Sequence, residues 1–327
     1  MVKYIIKRVL YSILILLLVS LLLYLLMRIL PNDYVDRFYL SQTSQNEISL
    51  EQIQQFKEKF GIGDKSFGGI MKGYWKWLIN ALQGDLGTSF QFKASVGSVI
   101  SEHMWISFGV GMAAFILQFI IAIPLGIKAA TNQYGAVDYT TSVLSMIGIS
   151  LPSFFLAYLL LRVFSVELGW FPLQGTTDAS VNGFDLGVFL WHMVLPMVTI
   201  VIGSIGGLMR HTRTNTLEVL NQDYVRTARA KGLSERKVVY KHVFRNTMVP
   251  IVTMTAGIIP SLFGGMMILE QVFAIDGIGF VAYKALTNGD IPLVMGYNMF
   301  IAILSVLGTL LSDLTYMLVD PRIKITK

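Results

Sequence analysis

The chain has 327 residues, of which 54% are hydrophobic and 14% charged, with a formal net charge of +6. Soluble domains carry about a quarter charged residues, so this composition excludes an ordinary soluble domain and predicts a membrane protein. The sequence has no cysteine, which excludes a disulfide framework and cysteine-based metal sites.

Six uncharged runs of 19 to 25 residues follow one another along the chain, and each is long enough to cross a membrane as a helix. They are Val9–Met27, His103–Ile127, Tyr139–Leu161, Leu186–Met209, Asn246–Leu269 and Ile291–Ser312. The predicted fold is all-α, a polytopic membrane protein with six transmembrane helices. The first run is too long for a signal peptide, and no small-residue cleavage site follows it, so it is predicted to remain as the first helix.

The positions of the six runs predict the organisation of the chain. Residues 1–30 form an N-terminal cytoplasmic end and the first helix, and residues 31–102 a mostly helical extracytoplasmic subdomain that packs on the helices. Residues 103–320 form a five-helix core with a cytoplasmic loop at 210–248, and residues 321–327 a cytoplasmic tail. Four prolines lie within runs and fit either plain helix packing or hinges: Pro124, Pro152, Pro196 and Pro260.

The distribution of Lys and Arg over the short loops predicts the orientation. The N-terminus has three such residues and the segment 210–245 has nine, whereas each of the two opposite short loops has one. Because positive charge collects on the cytoplasmic side, both termini, the 128–138 loop and the basic loop are predicted to be cytoplasmic. This rule explains the basic loop without any further function.

The sequence has little chemistry of its own. No run carries a charged residue in its middle, and the motifs GxxxxGK[ST], HExxH, CxxC and GxSxG are absent. Four scattered histidines, His192 among them, do not predict a metal site. We expect no catalytic residue and no metal or cofactor in this chain. The polar residues within or beside runs fit either packing or a transport path: Gln118, Ser150, Ser153 and Ser261.

Without an energy source of its own, a transporter of this kind depends on a partner, and the 210–245 loop is the largest cytoplasmic surface for one. The spacing of Asn215 and Glu218 indicates a capping box that starts a helix, and Gly232 is typical of its end. Ser234 then caps a second helix, with Leu233 and Val238 at the spacing of a hydrophobic staple.

The predicted first helix places Tyr224, Ala228 and Lys231 on one face, and the small residues Ala228 and Ala230 would let a partner pack closely. A helix pair held between two spans would convert a push from a partner into helix movement. The alternative is a solvated basic loop near anionic lipid.

Several stretches together carry a resemblance to a known family. They are "DYVRTARAKGLSERKVVYKHVFRNTMVP" (223–250), "GDLGTSF" (84–90), "LPSFFLAYLL" (151–160), "LGWFPLQG" (168–175), "EQVFAIDGIG" (270–279) and "LSDLTYMLVDPRI" (311–323). In this order they resemble the B-type permease subunit of dipeptide and oligopeptide ABC importers, within the binding-protein-dependent transport inner-membrane component family. The resemblance covers nearly the whole chain.

The resemblance implies the type I ABC importer permease fold and a multi-pass place in the bacterial plasma (inner) membrane. It implies a heterodimer with a second homologous permease subunit, two cytoplasmic ABC ATPase subunits that bind ATP and Mg, and an extracytoplasmic substrate-binding protein. Membrane lipid is the remaining expected partner, and nucleic acid is not one. This chain would be a non-catalytic subunit of an ATP-hydrolysing translocase.

In the family, the cytoplasmic loop docks in a groove of an ATPase subunit. Carried over residue by residue, the ATPase-coupling loop comprises Asp223, Tyr224, Arg226, Ala228, Arg229, Ala230, Lys231, Gly232 and Leu233. The general importer motif has Glu-Ala-Ala three residues before its Gly. Aligned on Gly232, this chain has Arg226, Thr227 and Ala228 there, a departure that resembles the peptide branch.

Other functions remain open at this stage. The same architecture imports nickel, glutathione or opines, and the permease sequence discriminates poorly between cargoes. A partner-independent passive channel, or a membrane anchor that moves nothing, is also compatible with the composition.

Overall fold

The structure is a computed structural model, and it describes residues 2–29, 66–177, 183–255, 258–264 and 266–319. Over these ranges the backbone forms helices and turns with no β-strand, and an isolated bridge pairs Thr88 with Ser95. The helices are α1 Val2–Ile29, α2 Phe67–Leu82, α3 Val96–Thr131, α4 Ala136–Ser150, α5 Ser153–Leu160, α6 Leu186–Leu220, α7 Asp223–Ala230, α8 Glu235–Lys237, α9 Phe244–Thr255, α10 Ile259–Phe263, α11 Met267–Val272, α12 Ile278–Asn288 and α13 Ile291–Val319. Wider π-helical turns extend α5 over Leu161–Glu167 and join α8 to α9 over Val238–Val243.

Four helical segments among the described residues are long and apolar enough to cross a membrane. They are Ile6–Leu26, Val96–Thr131, Leu186–Leu220 and Ile291–Thr315. They contain the predicted first, second, fourth and sixth runs, apart from the last residue of the first. Pro124 and Pro196 lie inside two of these helices without ending them, as membrane helices tolerate.

The third predicted run is not one straight helix. The segments Ala136–Ser150 and Ser153–Glu167 meet at 100° around Pro152, as a broken span or a re-entrant loop. Proline disfavours helical backbone in the residue before it, and Leu151 is extended, with φ −82° and ψ 124°. Counting this bent pair, up to five spans are present within the described part of the chain.

The fifth predicted run, Asn246–Leu269, is also interrupted. Helix α9 ends at Thr255, α10 ends at Phe263, and α11 begins at Met267. Residues 256–257 and 265 lie outside the described residues. The count of six transmembrane helices therefore remains a prediction, whereas the all-α membrane architecture is confirmed.

The chain divides into two compact units, Met1–Trp105 with Gly277–Leu307, and Ile106–Asp276 with Gly308–Lys327. The core of the first unit joins the start of α3 to α12 and the start of α13. Its buried residues are Val96, Val99, Ile100, Ile278, Val281, Ala285, Leu293 and Val294. The buried Asp290 carboxylate accepts hydrogen bonds from the Ser89 hydroxyl (2.5 Å) and the Gln91 N–H (3.0 Å).

Helix α2 packs on α1 within the same unit. Tyr74, Trp77 and Leu78 are buried against Tyr24, and the Tyr74 hydroxyl lies 2.9 Å from that of Ser20. This contact fits the predicted packing of the 31–102 subdomain on the helices. Residues 31–65 of that subdomain and the 321–327 tail lie outside the described residues, and the domain division stays a prediction.

The second unit has its largest core where α3, α5, α6 and α11 meet. The buried residues are Val110, Ala157, Leu161, Met193, Leu195, Leu269, Val272, Phe273 and Ile275. Helices α4 and α6 cross closely in the same unit, because glycines remove the side chains that would separate them. A Cβ on Gly148 would lie 2.5 Å from the Ile202 carbonyl oxygen, and a Cβ on Gly206 would lie 2.6 Å from that of Ser145.

Candidate partner-docking site

The α7 region begins where the long helix α6 ends. Helix α6 runs without a break through Asn215 and Glu218 to Leu220, so the predicted capping box at these two residues is wrong. The sequence has no glycine or proline between Leu208 and Lys231, so α6 continues past the end of its apolar run. The break comes at Gln222, which is extended (φ −76°, ψ 147°) and precedes α7.

The inward face of α7 differs from the predicted one. Val225 and Ala228 are buried together with Val238 and Val243, and Leu233 packs against the same cluster. Tyr224 and Lys231 are exposed, whereas Ala228, predicted to share their contact with a partner, is buried within the turn. The i, i+3 spacing of Val225 and Ala228 was the apolar signal in the sequence that marks the buried face.

The end of α7 is a Schellman motif built on Gly232. Its φ is +77°, a left-handed conformation that glycine adopts without strain. The Gly232 N–H donates to the Arg229 carbonyl (2.9 Å), and the Leu233 N–H donates to the Ala228 carbonyl (3.4 Å). The predicted helix stop is confirmed.

The second helix starts as predicted at Ser234, although without a side-chain cap. Ser234 is the extended residue before α8, and its carbonyl accepts the Lys237 (2.8 Å) and Val238 (3.0 Å) N–H groups. Its hydroxyl makes no capping bond. Leu233 and Val238 join the same apolar cluster, as the hydrophobic-staple spacing predicts. From Glu235 the backbone stays helical to Thr255, so the turn returns directly into the next long segment.

An ion pair closes the turn on its exposed side. Arg229 Nη2 lies 2.7 Å from Glu235 Oε1, and Arg229 Nε lies 3.1 Å from Oε2. Hydrogen bonding to Arg229 lowers the pKa of the Glu235 carboxyl, and the same bonds raise the pKa of Arg229. Arg229 was predicted to be a docking residue, and the structure places its guanidinium on a partner within the chain. Sequence reasoning did not identify Glu235.

The remaining predicted docking residues form an exposed strip along the turn. It comprises Asp223, Tyr224, Arg226, Ala230, Lys231 and Gly232. Partial burial raises the pKa of the Tyr224 hydroxyl. An open depression with three basic side chains continues the strip onto the second helix; it is lined by Ser234, Arg236, Lys237, Tyr240 and Lys241. We call the strip and this depression together the docking surface. It can offer hydrogen-bond donors and positive charge to an acidic partner surface.

Three of the other polar candidates contact backbone carbonyl groups: Gln118, His192 and Ser261. The Gln118 side-chain amide donates to the Ser204 carbonyl (3.1 Å), and the Ser261 hydroxyl donates to the Ile258 carbonyl (2.6 Å). His192 Nδ1 lies 3.1 Å from the Gly175 carbonyl oxygen, and its side chain is buried. Among the described residues, no three His, Cys, Asp or Glu side chains are grouped so as to hold a metal ion.

The fold and the site define a class of protein: a multi-pass helical membrane protein with an exposed helical turn between two long segments. Residues 122–325 match the family described as "Binding-protein-dependent transport system inner membrane component", and residues 1–110 match its N-terminal family. The chain belongs to this family and is a multi-pass inner membrane protein. The family is a membrane component of transport systems, and the predicted resemblance is confirmed.

Relatives along the whole chain agree with this assignment. The chain is 37% identical to the oligopeptide transport system permease protein AppB of Bacillus subtilis, over 99% of this chain and 100% of that protein. It is 34% identical to a putative peptide permease protein of Brucella suis, over the full length of both. It is 35% identical to the dipeptide transport system permease protein DppB of Bacillus subtilis, over 77% of this chain and 78% of that protein.

A solved structure shares the fold. An inward-facing structure of the MetNI methionine ABC transporter aligns with a TM-score of 0.52 at 18% identity, covering 68% of this chain and 96% of the solved chain. At this identity the likeness establishes the fold alone, which is the predicted type I ABC importer permease fold.

Proposed function

We propose that this chain is a permease subunit of an ATP-driven importer, forming half of a translocation pathway and coupling to cytoplasmic ATPases through residues 215–248. The observation that carries the proposal is the geometry of α7. An eight-residue helix is packed from inside by Val225 and Ala228 and stopped by Gly232, and it presents the docking surface outward.

Packing and hydrogen bonding distinguish this turn from a solvated basic loop. A loop that serves only to retain positive charge needs no buried cluster, no Schellman motif and no ion pair across its turn. A segment that transmits a partner's movement to the membrane helices must keep its shape, because deformation of the turn would absorb that movement. Continuous helix on both sides, α6 before it and the Glu235–Thr255 run after it, supports this role.

The charge of the docking surface suggests the chemistry of its partner. Arg226, Lys231, Arg236, Lys237 and Lys241 are exposed, whereas Asp223 is the acidic member of the strip and Glu235 is already paired. An ATPase groove with acidic or carbonyl groups at its rim is the complementary surface. ATP and Mg would be bound by that partner, and we assign no cofactor to this chain.

The complete transporter we propose contains four further proteins. They are a second, homologous permease in a heterodimer, two ABC ATPases and an extracytoplasmic binding protein. The asymmetry of Lys and Arg in the short loops supports cytoplasmic termini and a cytoplasmic α7. With a cytoplasmic N-terminus and one span before it, the 31–102 segment would lie outside.

For the cargo we propose oligopeptides or dipeptides, because relatives that match along most of the chain are named as permeases for them. Import of nickel, glutathione or another small solute is an outcome of the cargo test rather than a second proposal. Cargo selection in such a system belongs largely to the binding protein.

The first experiment is purification of the chain in mild detergent from its native membrane, followed by mass spectrometry of the co-purifying proteins. Two P-loop ATPases and a second permease support the proposal, and the accompanying binding protein, mixed with defined peptides, nickel or glutathione, reports the cargo. A chain that purifies alone at native expression and transports solute without ATP would instead be a passive channel. Reconstitution with and without ATP separates the two functions.

A further inference from the structure

We infer that Asp138 and Arg213 are a positioning pair that fixes α4 to the end of α6, so that movement of α7 reaches α4 as well as α6. This inference rests on the proposed function, since it concerns how the docking turn acts on the membrane helices. Neither residue belongs to the docking surface, and both lie in the second compact unit.

The geometry of the pair fixes direction as well as distance. Arg213 Nε donates to Asp138 Oδ1 (2.5 Å), and Arg213 Nη2 donates to Oδ2 (2.8 Å). The Asp138 side chain is 6% exposed. A bidentate fork holds the guanidinium and the carboxylate in one plane, which a single contact would not do.

The same carboxylate organises the turn that leads into α4. Asp138 Oδ2 accepts the Tyr134 N–H (3.0 Å), and Tyr134 has a φ of +62°, an uncommon conformation for a residue other than glycine. The Gly135 N–H donates to the Asn132 carbonyl (2.9 Å). Through Asp138, Arg213 is thus linked both to the start of α4 and to the turn between α3 and α4.

A second attachment lies further along the same two helices. At the glycine crossing, Gly148 meets the Ile202 carbonyl and Gly206 meets the Ser145 backbone. A helix held at one point can pivot, whereas a helix held at two separated points follows its neighbour. The ion pair supplies the second point, at the end of α6 that leads into α7.

Stability alone is a weak reason for an ion pair whose carboxylate is buried and whose guanidinium is 27% exposed. Desolvation of the charges offsets much of their attraction, so replacing both partners by well-packed hydrophobic residues of similar volume is often nearly neutral for folding. Positive charge that favours the predicted membrane orientation is also supplied by Arg210, one turn earlier. Arg210 is exposed and forms no ion pair with a described carboxylate. The position of Arg213 is therefore explained by its bidentate contact with Asp138 rather than by its charge alone.

The test uses the whole transporter reconstituted in liposomes with its ATPases and binding protein. The measured quantity is solute imported per ATP hydrolysed, alongside the amount of assembled complex. In the double variant Asp138→Asn/Arg213→Gln no buried charge is left unpaired, and Asn keeps an acceptor for the Tyr134 N–H. We expect normal assembly and continued ATP hydrolysis, with import per ATP lowered about fivefold or more, the lower end of typical coupling between sites.

Two further variants make the result decisive. Arg213→Lys keeps the charge but loses the fork, and a smaller drop in import per ATP is expected even if the double variant fails to assemble. Arg210→Gln removes a neighbouring charge from the same helix and is expected to behave as wild type. Wild-type import per ATP in the double variant or in Arg213→Lys would overturn the inference, as would an equal loss in Arg210→Gln.

The outcome also separates this inference from the proposed function. If the wild-type chain binds no ATPase and import does not depend on ATP, the proposed function fails, and the positioning role fails with it. If wild-type import is ATP-driven while removal of the pair changes nothing, only the positioning role is overturned.

Discussion

Arg229 and Glu235 lie six residues apart on opposite sides of the Gly232 turn and share two hydrogen bonds, of 2.7 and 3.1 Å. The pair joins the end of α7 to the start of α8, and both side chains remain about half exposed. The backbone hydrogen bonds of the Schellman motif and the apolar cluster already hold the turn without charge. The ion pair adds a contact that depends on charge.

The Arg229–Glu235 pair predicts a pH dependence confined to the turn. The pKa of Glu235 is lowered in the folded chain, so its contribution is full above the ordinary Glu pKa of about 4.3 and is lost as the pH falls through the lower folded value. An exposed pair contributes about 0.2–1 kcal/mol. Hydrogen-exchange protection at Gly232 and Leu233, corrected for intrinsic rates, should fall by up to about fivefold across this range.

Glu235→Gln is the control for the pH experiment. This variant should show the reduced protection already at neutral pH and no further specific loss on acidification. An unchanged pH response in Glu235→Gln would assign the effect to another group.

Gly232→Ala tests whether the left-handed turn is needed for coupling. A side chain in this conformation costs about 1–2 kcal/mol, which the turn would relieve by changing the angle between α7 and α8. We expect normal membrane insertion and reduced ATP-driven uptake, with a larger loss for Gly232→Pro, because proline also removes the N–H bonded to Arg229.

The matched control for Gly232 is Gly84→Ala. Gly84 also has positive φ (+87°) and, like Gly232, nothing within 4 Å of an added Cβ. It lies after α2, far along the chain from the turn. Equal losses of uptake in the two variants would attribute the effect to backbone strain in general and not to the docking turn.

A large charged side chain should have different effects at two alanines of α7, on folding at Ala228 and on partner binding at Ala230. Ala228 is buried against Val225, Val238 and Val243, so Ala228→Arg should disrupt the turn itself, at a cost of several kcal/mol for an unpaired buried charge. Ala230 is exposed, so Ala230→Arg should leave the chain folded and weaken its hold on the ATPases.

The measurement for the two alanines is the ratio of co-purified ATPase to permease, together with the yield of permease. We expect the yield to fall for Ala228→Arg and the ratio to fall for Ala230→Arg. A normal ratio and normal uptake in Ala230→Arg would contradict docking through the exposed strip.

The crossing of α4 and α6 predicts a sharp difference between glycines on one helix. In Gly206→Ala the new Cβ would lie 2.6 Å from the Ser145 carbonyl oxygen, so the helices must separate, at a cost of about 1–3 kcal/mol. Gly203 is on the same helix with nothing within 4 Å, and Gly203→Ala should be neutral. Thermal unfolding in detergent measures both; equal midpoints would contradict the close crossing.

Much of the helical framework was predictable because uninterrupted apolar runs have few alternatives in a membrane. The bend at Pro152 was not, although the proline was visible. Pro124 and Pro196 lie inside continuous helices, so the residue type alone does not tell which proline bends its helix. The interruption of the fifth run was not predicted for a similar reason: apolarity does not indicate where a helix ends.

The site was predictable in part. Gly232 was identified because a left-handed stop requires its residue type, and the staple because its spacing is local. The inward position of Ala228 was missed because predicted faces counted small residues as contacts for a partner and not as core. The Asp138–Arg213 pair was beyond sequence reasoning, since 75 residues separate its members.

The length of α6 has a mechanical consequence. Its 35 residues extend about 52 Å, whereas the hydrocarbon core is about 30 Å thick. From Pro196, where the helix lacks one backbone hydrogen bond and bends more easily, about 36 Å of helix leads to Leu220. A lever arm of that length turns a bend of about 10° into a shift of about 6 Å at α7, roughly the height of one helical turn. A slight bend at Pro196 is therefore enough to displace α7 by roughly one helical turn.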